Sequence, residues 1–198
     1  MNNSFKLLLF ITVVISSCTK KNIIKLPITT SSHKALEYYN RAMLSYDVGD
    51  NPEKRSDLDS ALALDPDFAM ALEMYDSQDP LLKKEHREKA KLLFQKITKA
   101  ERKMIEIRES YRKGDMDKAL DNAKWLVSNH EDSYESYVWL GQVQSDRYEL
   151  DDAINTLKKA IELNPDCYNA YSLLMGHHIA AGLQVMLPEE KRNIEHFK

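Results

Sequence analysis

The sequence predicts an all-α chain, a solenoid of antiparallel helix pairs, and three observations carry that expectation. The stretch Tyr134 to Asp166 recurs: moved back by 34 residues, Asp151, Ala153, Lys158 and Asp166 fall on Asp117, Ala119, Lys124 and Asp132. Moved forward by the same 34, Tyr134, Tyr137 and Leu140 fall on Tyr168, Tyr171 and Leu174. A period of that length in a helical pattern marks stacked helix pairs. Apolar residues recur at helical spacing, with no evident strand alternation. Only 5 glycines occur in 198 residues, and the 43% hydrophobic and 30% charged content suits a helical domain with a sizeable core.

Within the best unit, 134–167, the spacing of small and large residues has a physical reason. Gly141 stands where the first helix must admit the second, with Ala153 as the small counterpart across the pair, and Ala160 offers the same close approach to the next unit. Tyr137, Leu140 and Leu157 fill the space around those contacts, as dense helix packing requires. Pro165 cannot continue a helix and turns Asn164 toward an extended conformation. These seven positions carry the large, large, small, small, large, small and proline residues of the tetratricopeptide repeat, and the chain resembles that family. The resemblance implies an all-α, tetratricopeptide-type α-solenoid of helix hairpins over residues 33–198.

Residues 1–17 resemble a bacterial lipoprotein signal peptide. Lys6 gives a short positive start, and Leu7 to Ile15 is an apolar run too short to span a bilayer. Ile15-Ser16-Ser17-Cys18 then resembles a lipobox, which implies that Cys18 is lipidated after cleavage before it; two or three acyl chains make a stable anchor. An ordinary secretory signal or a short uncleaved anchor, with a chance cysteine, is the alternative. Residues 18–32 are the lipidated cysteine and a polar, Thr/Ser-rich tether. Thr19, in place of an aspartate, points to the outer membrane of a bacterial cell envelope.

The first repeat covers about 35–68, with Leu36, Tyr39, Met43 and Tyr46 in one stripe and Asn51-Pro52 starting the second helix. Its close, Asp65-Pro66-Asp67, parallels Asn164-Pro165-Asp166; the two lie 99 residues apart, three short of three periods, so a shortened repeat lies between. That degenerate repeat is 69–99, with a brief first helix and Asp79-Pro80 opening the second. Its charged run Lys83 to Lys91 is interrupted by Glu85 and Glu88 and fits a solvated face. Thr98 with Glu101 forms a capping box opening the third repeat, 100–133, where Gly114 and Ala119 restore the pattern and Trp125 packs on a neighbouring helix. A partial repeat, 168–198, follows the reference unit, with Pro188 near the start of a closing helix that either caps the array or continues into a longer one.

No Gly-rich phosphate loop, G-x-S-x-G or H-E-x-x-H occurs, so no enzyme, cofactor or metal site is expected. His177 and His178 are adjacent and point about 100° apart on a helix, a poor chelate. Cys167 reads as inert packing at a repeat boundary. A net charge of −3 and a pI near 6.1 disfavour nucleic acid as a partner.

Binding is what the architecture offers, because the first helix of each pair lines a concave wall. The resemblance places the partner-facing side chains at Tyr39, Met43 and Tyr46, at Arg108, Tyr111 and Arg112, and at Glu135, Val138, Gln142 and Asp146. Members that clamp a peptide's terminal carboxylate carry lysine and asparagine where this chain has Tyr39 and Met43, so that clamp is absent from the first repeat. Arg108 and Arg112, one turn apart, suit an acidic segment. The expected function is a lipid-anchored scaffold for a protein or peptide partner. The alternatives are a capture lipoprotein for a small molecule or glycan, and the N-terminal part of a longer regulatory chain.

Overall fold

The structure, a computed structural model, describes residues 23–44 and 52–180. Nine helices occur among the described residues: α1 (His33–Leu44), α2 (Pro52–Leu64), α3 (Ala69–Met74), α4 (Pro80–Leu92), α5 (Lys99–Lys113), α6 (Met116–Asn129), α7 (Tyr134–Asp146), α8 (Leu150–Leu163) and α9 (Tyr168–Ala180). The expectations for Cys18, Tyr46, Asn51 and the closing helix from Pro188 concern residues outside those described.

Capping chemistry sets the helix ends. Ser32 Oγ accepts the Ala35 N–H at 3.2 Å and opens α1. Asp79 accepts the N–H groups of Leu81 and Leu82 at 2.8 and 3.4 Å, with Pro80 as the first residue of α4, where its missing N–H costs nothing. Thr98 and Glu101 form the reciprocal capping box of α5. Gly114 closes α5 at φ +70°, a left-handed conformation suited to glycine, and Asp115 caps α6 through the Lys118 N–H at 3.1 Å. The two Asx-Pro-Asp closes are built alike. Asp65 Oδ1 accepts the Asp67 N–H at 3.2 Å, and Asn164 Oδ1 accepts the Asp166 N–H at 3.1 Å.

Helices pair in order, α1 with α2, α3 with α4, α5 with α6 and α7 with α8, while α9 opens a fifth unit. Second helices then pack on the next first helix, α2 on α3, α6 on α7 and α8 on α9, and first helices meet one another as α3 on α5 and α7 on α9. The degenerate unit differs: it meets the third unit through α3 on α5. The fold is an all-α array of helix pairs packed in chain order.

Alanines at the tight contacts, Ala61, Ala119, Ala153 and Ala160, are fully buried. The space at Gly141 is filled by Leu157, whose Cδ2 and Cγ would lie 2.6 and 2.7 Å from a Cβ at 141. Ala153 is buried on α8, one turn earlier. The degenerate repeat compensates for its length by burying all six residues of α3, Glu73 included. Trp125 packs against the core with its face under Lys99 of α5, 4.6 Å from the ring centre.

Candidate functional site

A groove of about 690 Å³ runs along the first helices. It is lined by α1 (Leu36, Tyr39, Asn40, Met43), α3 (Met74), α5 (Met104, Arg108, Tyr111, Arg112), α7 (Tyr134, Glu135, Val138, Trp139, Gln142, Asp146) and the start of α9, with Arg87 contributed from α4. Nine of the ten partner-facing candidates therefore line one groove; Tyr46 lies outside the described residues.

Their surroundings differ in ways that sequence spacing did not reveal. Tyr39 is mainly a core residue, 6% exposed and tilted against Phe68 with ring centres 5.1 Å apart. Met43 and Val138 are half-buried on the groove wall. Arg108 Nε and an Arg112 terminal nitrogen reach the same Oε1 of Glu73 at 3.1 and 2.6 Å. Glu73 has no exposed side-chain surface, and its Oε2 has no hydrogen-bond partner. The candidate arginines are thus pre-positioned by a buried carboxylate that the sequence reading had not singled out. Its signal was present: one acid among the otherwise apolar residues of α3.

Arg87 stands nearby. Burial holds its guanidinium below the ordinary value, the Arg112 charge adds to that, and Glu73 partly offsets both. Three guanidinium groups, Arg87, Arg108 and Arg112, thus stand around the carboxylate of Glu73, with Asp76 also acting on Arg87. Two acids, Asp146 and Glu135, also line the groove. Tyr111 Oη donates to Asp146 Oδ2 at 2.7 Å, tying α5 to α7, and Gln142 Nε2 donates to the same oxygen at 2.8 Å within α7. Burial raises the Glu135 carboxyl above its usual range despite the Leu26 amide and Lys25. The neighbouring Tyr134 hydroxyl is pushed up by burial and by the Glu135 charge.

No family model matches the sequence, and no curated protein does. Among solved structures, the chain is similar to one described as "First TPR of Spaghetti (RPAP3) bound to HSP90 peptide SRMEEVD", with a TM-score of 0.35 and 14% identity. That likeness covers 79% of this chain and 99% of that one. The fold rests on the packing of this chain's own helix pairs.

Other candidate chemistry is sparse. Among the described residues, no group of three His, Cys, Asp or Glu side chains is placed to hold a metal ion. Cys167 is buried outside any disulfide, 4% exposed, in a cluster with Leu157, Ala160, Ala170 and Leu174. No described helix is long and apolar enough to cross a membrane.

The reading from sequence also missed part of the groove wall. Lys25, Leu26 and Ile28, within the stretch taken as a tether, line the groove beside the helices. The available signal was the alternation of Ile24, Leu26 and Ile28 with polar or proline residues.

Proposed function

We propose that the chain is a protein-interaction scaffold that holds a segment of a partner protein in this groove, anchored to a bacterial envelope membrane through a lipid on Cys18. The observation that carries the groove reading is convergence: candidates from three separate repeats line one cavity, with apolar surface beside an arginine cluster. The occupant that fits is an extended segment bearing an acidic side chain. Its carboxylate meets the guanidinium groups of Arg87, Arg108 and Arg112, while apolar side chains rest on Met43, Met74 and Met104. Arginine with aromatic neighbours is the usual composition of the energetic centre of an interface.

Photo-crosslinking in the native envelope tests the groove. A crosslinker at Met43 should capture one partner, that product should vanish with Arg112→Glu, and a crosslinker at the exposed Leu92 of α4 should not yield it. Equal capture from both positions, insensitive to Arg112→Glu, refutes the groove. The anchor has its own test: Cys18→Ser should release the protein from membranes, and retention after a carbonate wash refutes lipidation.

A further inference from the structure

Residues 23–32 are held by acids from the first, third and fourth repeats. Asp65 Oδ2 accepts the Thr30 hydroxyl at 2.6 Å and the Ser31 N–H at 2.7 Å. Glu101 accepts the Thr29 N–H at 2.9 Å on Oε1 and the Thr29 hydroxyl at 2.6 Å on Oε2. Glu135 Oε2 accepts the Leu26 N–H at 2.7 Å. The Thr98 hydroxyl donates to the Pro27 carbonyl at 3.3 Å, and Ile24 forms a parallel bridge with Ser133. Asp65 closes the first repeat four residues before α3, and Glu101 and Glu135, 34 residues apart, stand in the first turns of α5 and α7. Carboxylates from three repeats thus form a row along an extended backbone. Leu26, 3% exposed, is sunk into the main core.

We infer that this segment is a strap that completes the binding groove, so that Lys25 and Ile28 contact the occupant and strap docking and groove occupation strengthen each other. The inference rests on the groove reading above. Its physical basis is that the segment is both held and exposed to the cavity: backbone amides bond to carboxylates, which strengthens each hydrogen bond, while the side chains of Lys25, Leu26 and Ile28 form groove wall. An occupant touching that wall binds the docked state more tightly than the undocked one. By linkage, it must hold the strap down by the same factor.

Backbone amide exchange on the full chain tests this. The amides of Leu26, Thr29 and Ser31 should exchange slowly. Leu26→Asp, which places a charge in an apolar site without altering any helix, should release Thr29 and Ser31 while Ile105 and Val143 stay protected. The probe for the groove is a short peptide selected by display against the full chain and located by resonance shifts at Met104, Val138 and Gln142. At ten times its Kd it should slow strap exchange about tenfold, and Lys25→Ala and Ile28→Ala should each weaken it several-fold. Strap amides that exchange freely in the unliganded chain overturn the strap. Protected amides that ignore a groove-seated peptide, with its Kd unchanged by Ile28→Ala, overturn the linkage. If no selected peptide seats in the groove, the groove reading falls and takes the proposal with it.

Discussion

Gly141→Ala puts the packing of α7 on α8 to the test. The added methyl would lie 2.6 Å from Leu157 Cδ2 and 2.7 Å from its Cγ. Carbon atoms settle at roughly 3.5–4.0 Å, so the overlap is about 1 Å. Cγ is the branch point of a fully buried side chain, packed against Ala160, Cys167, Ala170 and Leu174, and it has no open space to swing into. Replacing glycine by alanine within a helix gains about 0.8–1.0 kcal/mol, whereas overpacking costs about 1–3 kcal/mol. With overlap this deep the upper half of that range applies, and the net destabilisation is about 1–2 kcal/mol. For a chain of this size 1 kcal/mol moves Tm by about 2–4 °C, so the melt should fall by about 2–8 °C. Gly176→Ala is the control. A Cβ there meets nothing within 4 Å, so only the helix gain remains and Tm should rise by about 2–4 °C. Leu157→Ala alone should cost about 2–5 kcal/mol. Combined with Gly141→Ala it should cost less than the sum of the two, because the clash partner is gone. The assay is thermal unfolding followed by far-UV circular dichroism. A rise in Tm for Gly141→Ala matching that of Gly176→Ala would refute the contact.

Three further outcomes follow from named contacts. Ala153→Leu adds bulk at a fully buried position and should cost about 1–3 kcal/mol; an unchanged melt would count against the repeat register. Glu73→Gln removes the charge shared by Arg108 and Arg112 and should destabilise the chain by about 1–3 kcal/mol in denaturant titration; a neutral result would mean the arginines need no buried counter-charge. Asp65 links the strap to pH. Burial works to raise its carboxyl, but the Thr30 hydroxyl and the Ser31 and Asp67 amides outweigh it and hold the group below its ordinary 3.8. A carboxyl lowered on folding adds stability that is present above its unfolded pKa and is lost as pH falls through the folded one. Acid titration should therefore loosen the Thr30–Ser31 end, and Asp65→Asn should flatten that part of the stability curve; an identical curve in the variant would exclude the effect. Glu135 has the opposite sign, since burial raises its carboxyl and its contribution is lost as pH rises through the folded value.

The parts of this molecule legible in its sequence are those decided within a few residues. The capping box at Thr98 and Glu101, the Asp79-Pro80 start, the Asx-Pro-Asp closes and the left-handed Gly114 all depend on backbone groups close along the chain. The resemblance to the tetratricopeptide repeat then placed positions on the first helices along one wall, and nine of those ten candidates line one groove.

What tertiary structure alone decided concerns partners distant in sequence. The closeness of Leu157 to Gly141 is set by how two packed helices cross, which the count of residues does not give. Arg108 and Arg112 acquire a buried carboxylate 35 and 39 residues away on a helix too short to show a clear apolar period. The polar stretch before α1 has no helical period at all. Its place across three repeats is set by acids 35, 72 and 109 residues downstream, which become a row only once the helix pairs have stacked.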